Sequence, residues 1–218
     1  MTKCIVIGAG QSLYDENVID VLKKKPDVKV LSTDRSLKYV LEQGIIPDYC
    51  GIQENLFTAT RFGNEDLFPK FFNHDIIKKY ANEITMYYSQ QLRWPRKKVL
   101  NALGFKMIQF NRAGCGGNLR PAIPTCGHCA MALLQIARHI LKIDKIATIG
   151  MDMDLSSSWK CYVKHDKKTV DGMLSNTMRV IANDFTSGNR PVTYNLTKKG
   201  SFHGRGVKEI TVEEFLNE

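Results

Sequence analysis

The chain has 218 residues, 43% of them hydrophobic, which is enough for one substantial core and short for two independent domains. Thirty-one Lys and Arg against 22 Asp and Glu give a net charge of +9, which points to an anionic partner such as a nucleotide, a nucleic acid, an acidic glycan or an anionic membrane. No stretch approaches the roughly 20 apolar residues of a membrane span, and the apolar start Cys4 to Ile7 is too short for a signal-peptide core, so a cytoplasmic protein without a transmembrane segment is expected.

Lys3 to Ile7 reads as a buried strand, followed by the glycine turn Gly8-Ala9-Gly10 and an amphipathic helix from Asp15 to Lys25 with Val18, Val21 and Leu22 inward. Val28 to Leu31 is the second strand, which completes a βαβ unit. A helix from Arg35 to Glu42 ends at Gly44, a residue type suited to the left-handed conformation that closes helices. Asp48 to Ile52 is the third strand. Leu56 to Tyr80 is aromatic and without clear period, and is expected to be an insertion or lid over the active face. Strand-like segments recur at Ile84 to Tyr88 and Lys106 to Phe110, and a long glycine-rich loop spans residues 112–127. Ala130 to Leu141 is the strongest helix, with Leu133, Leu134, Ala137, Ile140 and Leu141 on one face. It leads into the apolar strand of "KIATIGMDMD". Alternating strands and helices predict an α/β fold: a single Rossmann-like domain over residues 1–218, with a mainly parallel sheet flanked by helices.

A strand that ends in glycines and turns into a helix commonly holds phosphate, because backbone N–H groups can approach its oxygens. The dinucleotide fingerprint needs a third glycine where this chain has Leu13, which weighs against NAD even though Asp34 lies at the spacing of a ribose-binding acid. In open α/β sheets ligands bind beyond the carboxyl ends of strands, so Gly8, Thr33, Gln53 and Asp152 are expected to share one crevice.

The six cysteines, Cys4, Cys50, Cys115, Cys126, Cys129 and Cys161, are expected as thiols. "CGHC" at a helix start has three readings: a dithiol of the thioredoxin kind, a zinc site built from Cys115, Cys126, Cys129 and His128, or a plain helix N-terminus, which is preferred because no tryptophan precedes Cys126 and no second CxxC is present. A nucleic-acid-binding protein is a reading of another class, prompted by the charge and by Arg93-Trp94-Pro95-Arg96-Lys97-Lys98.

"GAGQSL", "STDRSLKYVLEQGIIPDYCGIQE" and "TCGHCAMALLQIARHILKIDKIATIGMDMD", in this order, resemble the domain shared by archaeal 6-hydroxymethylpterin pyrophosphokinases and the motility accessory factor proteins that glycosylate flagellin. They also resemble, more distantly, bacterial sialyltransferases that use a CMP-activated sugar. The resemblance covers about residues 3 to 170 and, weakly, the tail from Val192. It implies a nucleotide held by Gly8, Ala9, Gly10, Gln11 and Ser12 in the first turn, Thr33 and Asp34 after the second strand, Gln53 after the third, and Thr125, Cys126 and Gly127 before the long helix. Asp152 matches the acid of the sialyltransferases' "GID", and His165 in "YVKHDKK" stands where that family has its general base, so both are the expected catalytic residues.

The implied reaction moves a sugar from a nucleotide-sugar donor to an anionic or glycan acceptor, with no cofactor. The alternative implied by the pyrophosphokinases uses ATP and Mg²⁺, with Asp152 and Asp154 on the metal. Their acidic "TDLDG" is "GIQEN" here, with Glu54 the single acid, which favours sugar transfer. Self-association into a homo-oligomer is left open.

Overall fold

The computed structural model describes residues 1–14, 16–24, 27–53, 72–113, 122–126, 128–152, 167–186, 192–197 and 202–218. In chain order the elements are β1 (Lys3–Ile7), α1 (Glu16–Lys23), β2 (Lys29–Thr33), α2 (Asp34–Glu42), β3 (Tyr49–Ile52), α3 (Asp75–Tyr80), β4 (Thr85–Ser89), α4 (Trp94–Ala102), β5 (Lys106–Arg112), β6 (Ala122–Ile123), α5 (Cys129–His139), β7 (Lys145–Ile149), α6 (Lys167–Thr186), β8 (Thr193–Asn195), β9 (Val207–Glu209) and α7 (Val212–Asn217). A 3-10 turn, Gln11–Tyr14, follows β1.

The strands form one sheet in the order β6-β5-β4-β3-β2-β1-β7-β8-β9, and every neighbouring pair is parallel. The chain runs outward from β1 to β6 and then returns to the other side of β1 with β7. The strand order therefore reverses between β1 and β7, and the loops that leave these strands diverge there. This is the α/β architecture expected from the alternation of elements. The apolar runs of β1 and β7 are central because a parallel sheet is covered on both faces and needs apolar side chains on both. Ile5 and Ile7 point to one side and Cys4 and Val6 to the other, all four fully buried.

The layers are unequal. Helices α1, α2, α3, α4 and α7 cover one face through Val18, Ile19, Leu37, Leu41, Ile77, Leu100 and Phe215. On the other face lies α5, buried from Ala130 to Arg138. Gly44 closes α2 as its sequence suggests: it adopts φ +78, its N–H meets the Leu41 carbonyl at 2.9 Å, and the Ile45 N–H meets the Val40 carbonyl at 3.1 Å. Two sequence expectations change. Ile140, assigned by period to the buried stripe of α5, is 37% exposed, because the helix stops at His139 and the chain turns at Lys142 with φ 54. Within the stretch taken as a lid, residues 54–71 lie outside the described residues, while α3 packs Ile77 into the core beneath β3 and β4.

Helix α6 packs Ile181 into the core cluster that contains α5 and is also tied to α5 by directional polar contacts. Arg138, with a side chain 3% exposed, donates from Nη1 to Asp184 Oδ2 at 2.7 Å and from Nη2 to Thr193 Oγ1 at 2.8 Å, while Gln135 Nε2 donates to the same Asp184 oxygen at 3.1 Å. Breaking a buried ion pair from one side leaves an uncompensated charge, which costs about 3 to 5 kcal/mol. Asp184→Ala should therefore lower stability by about 3 kcal/mol in urea unfolding, and the double variant Arg138→Met with Asp184→Ala should recover much of that loss. Equal midpoints for wild type and Asp184→Ala would show that the pair does not hold α6.

Candidate functional site

The carboxyl ends of β1 and β7 are joined by a clasp. Beyond the strands the ladder continues, with the Gly8 N–H on the Ile149 carbonyl at 2.7 Å and the Gly10 N–H on the Gly150 carbonyl at 2.8 Å. Asp152, 5% exposed, then closes the turn: its Oδ2 accepts the Ser12 N–H at 2.7 Å and its Oδ1 accepts the Ser12 hydroxyl, which in turn accepts the Gly150 N–H at 3.1 Å. These contacts explain the glycines. A Cβ on Gly8 would lie 2.3 Å from the Gly150 carbonyl oxygen, and one on Gly10 would lie 2.7 Å from both that oxygen and Asp152 Oδ2. The glycines let two protein turns touch. Their N–H groups are spent on that contact, whereas the N–H groups of Ala9 and Gln11 have no acceptor among the described residues.

Beside the clasp, hydroxyls tie β2 to β1. Ser36 donates to the Ile7 carbonyl at 2.9 Å and shares hydrogen bonds with Thr33 at 2.9 Å and Ser32 at 3.0 Å, all three buried. Thr33 thus sits at the crevice as expected, with its hydroxyl engaged. Asp34 opens α2 at the same edge. Burial raises its carboxyl above the ordinary value of 3.8, against the lowering effect of the Arg35 guanidinium and of backbone N–H groups.

Gln53 and Thr125 meet directly, Gln53 Nε2 donating to Thr125 Oγ1 at 3.1 Å, which joins the end of β3 to the loop before α5. The "CGHC" stretch is a helix start. His128 is the N-cap of α5: its Nδ1 accepts the Met131 N–H at 3.2 Å, and its Nε2 lies 2.8 Å from Thr177 Oγ1 on α6. Both thiols are held up rather than activated. Burial and then Asp34 push Cys129 well above the ordinary thiol value, overcoming the backbone N–H groups of Asp34 and Gln53, and burial likewise raises Cys126, whose backbone has φ 49. A dithiol of the thioredoxin kind needs the opposite shift. Among the described residues no three His, Cys, Asp or Glu side chains converge as metal ligands.

The structure brings Gly8, Ala9, Gly10, Gln11, Ser12 and Asp152 together at the switch point, with Thr33, Asp34, Gln53, Thr125 and Cys126 along the same edge. Gly127, Asp154 and His165 lie outside the described residues. Sequence reading missed Ser89, Gln91 and Arg112, which end or follow β4 and β5. Arg112 Nη1 donates to Gln91 Oε1, while the Arg112 Nε, the Ser89 hydroxyl and Gln53 Oε1 are buried and have no partner among the described residues. The missed signal is one of charge. From Ile84 to Ile143 there are nine Lys and Arg and no Asp or Glu, and the rest of the chain has 22 of each, so the whole net charge belongs to this segment.

Asp34 gives a test with a definite sign. Because its folded pKa is raised, the penalty for ionising it is absent below about 3.8 and grows as pH rises from there toward the folded value. Asp34→Asn should therefore melt above the wild type at pH 7, and the difference should shrink as pH falls toward 3.8. A variant that melts lower at pH 7 would mean that the carboxylate stabilises α2 as an N-terminal charge instead.

The fold is shared with a MAf glycosyltransferase from Magnetospirillum magneticum AMB-1, at 12% identity and a TM-score of 0.64 over 97% of this chain, which spans about a third of that protein, 34% of its length. A protein from Lactobacillus plantarum aligns over 89% of this chain and 61% of its own, at 12% identity and a TM-score of 0.39, too remote to carry structural meaning. No curated protein matches the chain. The family model of 6-hydroxymethylpterin diphosphokinase MptE-like proteins matches residues 1–158, from β1 through β7 and the clasp, and the chain belongs to that family.

Proposed function

We propose that the protein is a nucleotide-dependent transferase that moves a sugar from a CMP-activated donor to an acceptor hydroxyl. The observation that carries this reading is the meeting of the Gly8–Ser12 and Gly150–Asp152 turns where the strand order reverses, the place at which open α/β sheets take their ligands. Membership of the MptE-like family and the fold shared with a glycosyltransferase support a transferase of this general kind.

In the proposed roles the N–H groups of Ala9 and Gln11 and the residues Thr33, Asp34, Gln53, Thr125, Cys126 and Gly127 surround the nucleotide. Asp152 acts by fixing the turn through Ser12. The acceptor oxygen attacks the anomeric carbon, the bond from that carbon to the CMP phosphate breaks with its electron pair on the phosphate, and the acceptor proton passes to the His165 imidazole.

The second reading is transfer of a diphosphoryl group from ATP to a hydroxymethyl group, favoured by the description of the family. ATP would bring Mg²⁺, and the residues suggested for it are Asp152 and Asp154. Asp152 does not fit that role as it stands, since both of its oxygens are bonded to Ser12 in a buried turn.

Melting temperatures in the presence of CMP, CDP, UDP, GDP, ATP with Mg²⁺, and NAD separate these readings. A cytidine nucleotide at 100 times its dissociation constant should add about 2.7 kcal/mol of stability, and NAD should add none. A shift with NAD alone would end the transferase reading, and one with ATP and Mg²⁺ alone would favour diphosphoryl transfer. His165→Ala should leave nucleotide affinity nearly unchanged while turnover falls by about 10² to 10⁴, the usual worth of a positioned base. If the variant keeps full turnover, or loses affinity as steeply as rate, His165 is not the base.

A further inference from the structure

At the carboxyl ends of three adjacent strands, three buried polar atoms have no partner among the described residues. The strand register sets Gly51 opposite Tyr87 and Ile52 opposite Tyr88, which brings Gln53 level with Ser89; Ser89 is in turn opposite Phe110, two residues before Arg112. Tyr87, Phe110 and Ile123 pack against α5, and alternation along each strand puts Ser89 and Arg112 on that same face. A Cβ on Gly51 would meet Leu133 of α5, so Gln53 shares the face as well. The result is a polar row over an apolar floor. Ser89 is fully buried, yet its hydroxyl meets nothing, and neither do Gln53 Oε1 and Arg112 Nε. Buried polar atoms are nearly always paired, because an unpaired one costs about 1 to 3 kcal/mol. Three together at the edge where this fold binds ligands are the mark of groups kept for a ligand.

We propose that this row is a subsite for a hydroxylated anion, a sugar acid or a sugar phosphate. The Arg112 Nε–H and the Ser89 hydroxyl both donate, and Gln91 anchors the guanidinium from its other end, so the pair suits a carboxylate or phosphate oxygen. The Gln53 amide, fixed by Thr125, suits a hydroxyl, which donates and accepts and so satisfies the amide whichever way it is turned. The composition agrees, because β4, α4, β5 and β6 lie in a stretch of sequence without acidic residues, in which Arg93, Arg96, Lys97, Lys98 and Lys106 accompany Arg112. At its rim α4 presents Trp94, 70% exposed, with Lys98 over its ring at 5.5 Å. An excess of cations raises the local concentration of anions. The row begins two strands from β1, roughly 10 Å from the switch point at ordinary strand spacing, which is within reach of a group carried on a nucleotide phosphate. That this ligand is the acceptor rests on the transferase reading; that it binds does not.

The test is direct binding by calorimetry or ligand-observed NMR, with glucuronate and glucose 6-phosphate as charged probes and glucose and inorganic phosphate as controls, each with and without CMP. The charged sugars should bind, with glucose and phosphate each weaker by about tenfold or more. The comparison of glucuronate with glucose 6-phosphate separates a carboxylate from a phosphate ligand. Ser89→Ala should weaken the charged probes by about tenfold while leaving the melting temperature unchanged or higher, because the hydroxyl has no partner in the fold. Arg112→Gln should erase the preference of the site for charge. The proposal is overturned if neither charged probe binds at millimolar concentration, if Ser89→Ala leaves their affinity intact, or if Ser89→Ala lowers the melting temperature by several degrees. Probe binding without any nucleotide shift would sink the transferase reading and leave the subsite standing; a CMP shift without probe binding would do the reverse.

Discussion

The contact between Ser12 and Asp152 fixes the geometry on which the rest of the site depends. Parallel strands on either side of a reversal have no reason to hold their loops together, since the helices that follow β1 and β7 leave on opposite faces. Here the loops are locked by two backbone hydrogen bonds and by a buried carboxylate that takes both the amide and the hydroxyl of one serine. A hydrogen bond to a charged group is worth about 1.5 to 3 kcal/mol, and losing either partner would strand the other in the interior. The arrangement also limits what a nucleotide can touch. The N–H groups of Gly8, Gly10 and Ser12 are committed to the protein, so in the proposed nucleotide site recognition would fall to Ala9 and Gln11 and to the edge from Thr33 to Thr125.

The second constraint is the way α6 is held. A helix docked by apolar contact can slide by part of a turn at little cost, whereas bonds from His128 to Thr177, Gln135 to Asp184 and Arg138 to Asp184 permit one register. All three donors or acceptors on the α5 side come from a helix otherwise buried in apolar core, which fixes them in turn. The first residue of α6, Lys167, follows His165 by two positions. The polar interface therefore fixes the helix that begins two residues after the proposed base. This helix lies beyond the residues that the family model matches, so the docking is a property of the chain's second part.

Much of the fold was legible because its central strands are apolar on both faces. β1 falls on the expected residues, β2, β3 and β4 fall within one or two positions of theirs, and β7 lies in the expected segment, because short apolar runs bounded by turn residues read as buried strands. Helix α5 was clear from its apolar stripe, although a stripe cannot reveal that its polar side, with Gln135 and Arg138, is buried too. Helices α3 and α4 were not legible. The first is six residues long, and the second buries Leu100 alone fully beneath an otherwise basic surface, so neither offers a full amphipathic period. β6, β8 and β9 have two or three residues each and are defined by their neighbours rather than by their own composition.

The site was legible in position but not in purpose. The sequence places Gly8, Gly10 and Asp152 correctly at one edge, but glycine in a turn after a strand has two physical uses, close approach of a phosphate and close approach of another backbone, and only the distance to Gly150 distinguishes them. The row at Gln53, Ser89 and Arg112 was missed for a related reason. Gln53 lies in a segment that the resemblance had marked, but Ser89 and Arg112 belong to no recognisable motif, and Ser89 looks like any serine at the end of a strand until its burial and its lack of a partner among the described residues are seen together. The charge pattern was the one accessible clue, because a net charge of +9 spread over the surface and the same charge confined to residues 84–143 have different consequences. A uniform excess raises solubility and weak attraction to any polyanion. A segregated one sets an excess of cations on the segment that supplies β4, α4 and β5, and in the proposed subsite that excess would favour an incoming anion at the strand ends where Ser89 and Arg112 lie.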